Sequence, residues 1–150
     1  LEDRARAPTY RAMFATLIDT MALAPGAAIL DVGCGAGSLD RLLARREASP
    51  ITAVDANPFL LREAQALAGA EGLDGAIRFL AANAEALPFA DGVFDGACSV
   101  TVLEECDADR ALGEMMRVVR PGLDPKATPL SLVMTRDATR QWRILHMHGA

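Results

Sequence analysis

The residues best suited to hold a ligand are concentrated in Gly33-Cys34-Gly35-Ala36-Gly37, with Asp31 just before the run and Asp55 about 20 residues beyond it. Glycines there permit a tight turn, let a ligand approach the backbone, and leave amide N–H groups pointing at an acceptor beside a helix N-terminus. An acid at the end of the next strand accepts hydrogen bonds from ribose hydroxyls. Together they predict an adenosine-containing ligand. For the glycines alone, a tight connection with no ligand is the plain alternative. A nicotinamide dinucleotide is the nearest rival, but the spacing is G-x-G-x-G, and Ser38 stands where the dinucleotide pattern has its third small residue.

These residues must be positioned by strands and helices that the sequence also marks. Tyr10, Met13, Phe14, Leu17, Ile18 and Met21 recur at helical spacing between Thr9 and Leu23, before a break at Pro25-Gly26. Ala27–Val32 reads as a strand buried on both faces, and Ser38 caps a helix carrying Leu39, Leu42 and Leu43 that ends at Arg45-Arg46, a solvated basic end. Ile51–Val54 is a second strand ending at Asp55, followed by a helix with Asn57 as cap and Pro58 at its first position, closed by Gly69 and Gly72. Ala76–Leu80 and Phe94–Val100 give a third and a fourth strand, with Ala86–Gly92 as a loop between them. Asp107 or Asp109 opens a helix bearing Leu112, Met115, Met116 and Val119, stopped by Pro121-Gly122, and Leu130–Met134 is a fifth strand. Strands alternating with helices imply an α/β, Rossmann-like open parallel sheet of about five strands with helices on both faces. Its ligands bind at the carboxyl ends of the strands.

Composition narrows the class. The chain has 150 residues, a net charge of −5, 51% hydrophobic residues and three cysteines. That describes one domain, with 1–24 as an N-terminal helix and a candidate lid, and 25–150 as the ligand-binding unit. The acidic balance argues against a nucleic-acid partner. Cys34, Cys98 and Cys106 form no C-x-x-C pair, so the expectation is a reducing, cytoplasmic setting without a disulfide framework or metal site, and no apolar run is long enough to span a membrane. His146 and His148 share one side of a strand but have no third ligand nearby, and Trp142 with Ile144 and Leu145 reads as packing.

Ile29–Gly37, Ala53-Val54-Asp55, Asn83–Phe89, Phe94-Asp95 and Arg117–Gly122, in this order and spacing, resemble the class I S-adenosylmethionine-dependent methyltransferases, in particular the small-molecule group similar to ubiquinone-biosynthesis enzymes. The resemblance implies S-adenosylmethionine as cofactor and a small-molecule acceptor attacked in line. It sets Gly33, Cys34, Gly35 and Gly37 against the methionine and ribose, with Asp31 orienting the loop or the cofactor's ammonium group. Asp55 would hold the ribose hydroxyls, Ala56 would border the adenine, and Asn83 and Ala84 would read the adenine edge, with an amide at 83 where the family commonly has a carboxylate. Ser99 and Val100 would face the transferred methyl.

Glu104-Glu105 follows Leu103 where related enzymes often carry Glu-His. Glu105 is therefore the candidate base, against the plainer reading that both acids cap a helix or face solvent. Cys34 reads as a small filler, although a helix N-terminus lowers a thiol's pKa.

Two departures from the family stand out. Leu123–Pro129 is an apparent insertion, and Asp137–Ala150 is too short to supply the family's reversed strand pair with the elements that shape its acceptor pocket. The expectations are a truncated chain, a homodimer formed through an exposed fifth strand, or a non-catalytic binding or assembly module. A nicotinamide-binding oxidoreductase domain is the third reading.

Overall fold

The computed structural model describes residues 7–47, 50–121, 130–136 and 142–148. In chain order the elements are α1 (Pro8–Met21), β1 (Ile29–Val32), α2 (Ser38–Glu47), β2 (Ile51–Asp55), α3 (Pro58–Ala70), β3 (Ile77–Ala81), β4 (Gly96–Val100), α4 (Ala108–Val118), β5 (Leu130–Arg136) and β6 (Trp142–His148). One sheet takes the order β3-β2-β1-β4-β5-β6, parallel from β3 through β5. Gly122, Leu1 and the insertion at Leu123–Pro129 lie outside the described residues.

All four residues of β1 are buried, because helices cover both faces of the sheet. The strand's alternation divides the core in two. Ile29 packs with Ile51, Ala53 and Cys98 beneath α1, α2 and α3, while Leu30, Val32, Val54 and Ala97 pack against Met115 and Val118 of α4. The N-terminal stripe forms as its spacing predicts, with Met13, Phe14, Leu17, Ile18 and Met21 buried. Burying a side chain such as Leu17 contributes about 2 kcal/mol, whereas a surface pair such as Arg46 with Asp19, 2.7 Å apart, contributes less than about 1 kcal/mol. Packing therefore fixes α1, and the basic end of α2 only adds to it.

Asn57 caps α3 by accepting from the Phe59 amide at 3.0 Å, and Asp107 caps α4 by accepting from Arg110 N at 3.1 Å. The apolar face of α4 is turned slightly from its expected setting: Ala111, Met115 and Val118 are its buried residues. Val119 is already extended and bridges Phe94.

The far edge differs from expectation. Strand β6 runs antiparallel to β5 from Leu130 opposite His148 to Arg136 opposite Trp142. The sheet therefore has six strands among the described residues rather than about five, and β5 is not its edge. Asp137–Ala150 is too short for a reversed pair, yet Trp142–His148 alternates as a strand does and satisfies the backbone groups that β5 would otherwise present. The two histidines, 146 and 148, lie on this strand.

Candidate functional site

The parallel order brings the ends of β3, β2, β1 and β4 side by side, so Asn83, Asp55, Gly33 and Val100 fall along one edge although they are distant in sequence. At its centre the chain leaves β1 and turns through Gly33, which has a φ of +80°. A Cβ there would stand 1.7 Å from Val102 Cγ2, so this position needs glycine for space as well as for conformation. Gly37 closes the turn against Phe79 and Ala64.

The loop amides do not behave as the glycine pattern predicts. Gly33 N and Cys34 N both donate to the Val54 carbonyl, at 2.7 and 3.0 Å, and Gly37 N donates to Cys34 O at 2.9 Å. Gly35 N donates to Asp55 Oδ2 at 2.8 Å. The acceptor that the loop meets is therefore largely the protein itself. A carboxylate already occupies the place where a pyrophosphate would need open donors, which weighs against the dinucleotide rival.

Between this loop, the end of β4 and α1 lies a cavity of about 320 Å³. Asp31, Gly33, Cys34, Gly35 and Val100 line it, as do Tyr10 and Phe14 of α1. Tyr10 and Phe14 meet edge to face with ring centroids 6.2 Å apart. Thr101, Glu104 and Glu105 complete the mouth, and among the described residues the lining includes no lysine or arginine. Thr101 has a φ of +67°, a strained setting for a β-branched residue and one that gave no sign in the sequence.

The other expected site residues are placed as follows. Asp55, half-buried, also accepts from Asn57 N at 2.8 Å, so it clamps the loop to β2 while each oxygen keeps a further lone pair. Ala56 is exposed beside it. Asn83 is exposed and its Oδ1 accepts from Glu85 N at 2.9 Å, while Ala84 is half-buried against the α4 side of the core. Ser99 is buried and its hydroxyl donates to Val32 O at 2.8 Å, so its side chain ties β4 to β1 rather than lining the cavity. Glu105 is exposed at the mouth. Burial pushes the Cys34 thiol well above its usual range, against any lowering by the helix N-terminus.

Beneath the loop lies a feature the sequence reading missed. Asp40, in the first turn of α2, is 0% exposed, and neither of its carboxyl oxygens receives a bond from a donor among the described residues. Its carboxyl meets that of Asp31, itself only 2% exposed. Burial raises both, Asp31 to about 7, and Asp31 pushes Asp40 up further while the Asp40 hydrogen bond draws Asp31 down. Arg41, also buried, donates from Nη1 to Ala36 O at 2.7 Å and pairs through Nε with Glu71 at 3.2 Å.

On the far side of the edge, charges brace the connection between β3 and β4. Glu114 accepts from Leu87 N at 2.7 Å and from Arg117, which also donates to Phe89 O at 2.9 Å and pairs with Asp91 at 2.7 Å. Arg117 holds the Glu114 carboxyl below its usual range. Arg120 pairs with Asp95 at 2.8 Å, and Asp95 in turn accepts from Ala28 N at 2.8 Å.

Among the described residues no helix is long and apolar enough to cross a membrane, and no group of three His, Cys, Asp or Glu could hold a metal.

A family described as "Methyltransferase domain" matches residues 30–122, more than half of the chain. An uncharacterized protein of Mycobacterium tuberculosis is 34% identical over 139 residues, covering 81% of this chain and 50% of that protein. The malonyl-[acyl-carrier protein] O-methyltransferase of Pseudescherichia vulneris is 41% identical over 118 residues, covering 78% of this chain and 44% of its own. Among solved structures, the [4+2]-cyclase SpnF superposes with a TM-score of 0.78 at 28% identity, covering 89% of this chain and 50% of that one. The chain thus spans about half the length of the relatives it matches.

Proposed function

The chain belongs to the methyltransferase domain family, and from that premise we propose that its strand-end cavity binds S-adenosylmethionine and aligns a small-molecule acceptor for methyl transfer. The observation that carries this reading is the cavity's chemistry: Asp31, Glu104 and Glu105 stand around the glycine loop, with no basic residue lining it among the described residues. Such a wall suits a cationic ligand and opposes an anionic one. The residues thus fit a group that bears both an ammonium and a sulfonium.

When bound, the cofactor supplies a methyl group already activated by a sulfonium. What remains for the chain is alignment and exclusion of water. Gly33–Gly37 offers a flat backbone wall and Asp31 a carboxylate to the methionine end. Asp55 has lone pairs left for ribose hydroxyls; Ala56, Asn83 and Ala84 border the adenine. Val100 and Thr101 stand at the methyl end, and α1 covers the cavity through Tyr10 and Phe14. Glu105 can take a proton only from an acceptor that must lose one.

A second reading has its own support, since the SpnF structure bears the name of a cyclase. A domain of this fold that does not transfer a methyl group is therefore a distinct outcome.

Calorimetry and thermal shift with S-adenosylmethionine and its demethylated product test the binding. Micromolar affinity is expected, weakened at least about tenfold by Asp55→Ala through lost hydrogen bonds to a charged group, and weakened by Gly35→Val, with no displacement by NADH. No heat and no thermal shift with either ligand would overturn the reading. Labelled methyl passing to any member of an acceptor panel removes the cyclase-like alternative.

A further inference from the structure

Asp40 is the buried ionisable group for which cofactor binding alone gives no account. It does not line the cavity, yet it sits directly behind Asp31, which does. A buried carboxyl with no donor to either oxygen among the described residues is costly to keep as an anion.

The surroundings offer little compensation. Asp31 faces Asp55 from β2 and the Cys98 thiol from β4, whose Sγ lies 3.7 Å from Asp31 Oδ1. Cys34 stands nearby in the loop, and Glu104, Glu105 and Tyr10 look in across the cavity. Arg41 is the cation beside Asp40, and its guanidinium engages Ala36 O and Glu71. A shared proton satisfies both carboxyls at once.

We infer that Asp31 and Asp40 form a proton-sharing pair that surrenders its proton when a cationic ligand group enters the cavity beside Asp31. In that step the carboxyl O–H bond breaks, its electron pair stays on the carboxylate, the proton passes to bulk buffer, and the ligand's positive charge takes its place. Asp40 is thus a positioning residue: it sets the charge and orientation of Asp31 without touching the ligand. The inference rests on the cofactor reading above and adds a proton count to it.

Calorimetry in two buffers of different ionisation enthalpy measures the protons released on binding. With S-adenosylhomocysteine, which carries an ammonium group, release of about one proton is expected at pH 6, declining as pH rises through 7. Affinity should tighten by up to about tenfold per pH unit across the lower part of that range. Methylthioadenosine carries neither cation and should bind without proton release. Asp40→Asn keeps the volume and removes the shared proton, so proton release should fall and the pH slope should flatten while binding persists, with only the rise that burial gives Asp31 left.

Heat without proton release in the parent protein overturns this inference alone and leaves the cofactor reading standing. An Asp40→Asn protein that releases as many protons as the parent also overturns it. No heat with any of the three ligands overturns both. Should Asp40→Asn fail to fold, the parent protein's proton count and the methylthioadenosine control still decide.

Discussion

The connections that leave β1 and β3 at the sheet's carboxyl edge are held in opposite ways. Residues 33–37 are fixed by buried or half-buried hydrogen bonds to Val54 and Asp55, above an acid with no donor. Residues 86–92 are fixed by Glu114 and Arg117, in an accessible network whose members satisfy one another. Both stretches carry family motifs, and the resemblance assigns the cofactor to the first. The distinguishing signs are physical. Around the first connection stand a strained Thr101, a raised carboxyl and a cavity. Features of that kind are retained where function requires them.

The largest test of this contrast is Gly33→Ala. With Val102 Cγ2 at 1.7 Å and a φ of +80°, the substitution should destabilise the fold by about 3 kcal/mol, read from urea unfolding, and Val102→Ala should recover part of the loss. An unchanged midpoint would show that the loop has room this packing denies.

Asp40→Asn is the next. Asp31 rises from 3.8 to about 7 on folding, so between those values the folded chain holds a proton that the unfolded chain has released. Stability from this group is therefore present at low pH and is lost as pH climbs toward 7. The parent protein should lose thermal stability across that interval relative to Asp40→Asn, and parallel profiles would dissolve the pair.

The smallest effect belongs to Arg117→Gln. Amide exchange at Leu87 and Gly92 should quicken, because Glu114 and the loop carbonyls lose their common donor, while affinity for S-adenosylhomocysteine stays within about twofold. A large drop in affinity would erase the distinction between the two connections.

The sequence makes the glycine-loop half of the edge legible because its determinants are local. A glycine run after an apolar strand fixes the turn, and the next strand end fixes Asp55. Four things escaped it, each for a reason of distance or context. Asp40 reads as an acid suited to the first turn of a helix; only the packing of α2 under the loop reveals that it is buried beside Asp31. Ser99 sits at the expected strand end, but its hydroxyl is taken by Val32 of the neighbouring strand. Strand β6 carries the right alternation, and an argument from length set it aside. Glu114 and Arg117 act on residues more than two dozen positions away, beyond any local pattern.

The central claim is that residues 33–37 at the carboxyl edge receive the cofactor while residues 86–92 brace that edge. Backbone amide shifts on titration with S-adenosylhomocysteine test that residue by residue. The account predicts shifts at Gly33, Gly35, Gly37, Ala56 and Thr101, with Gly92 and Val119 unmoved. Shifts centred on 86–92, or none at the glycine loop, would contradict it.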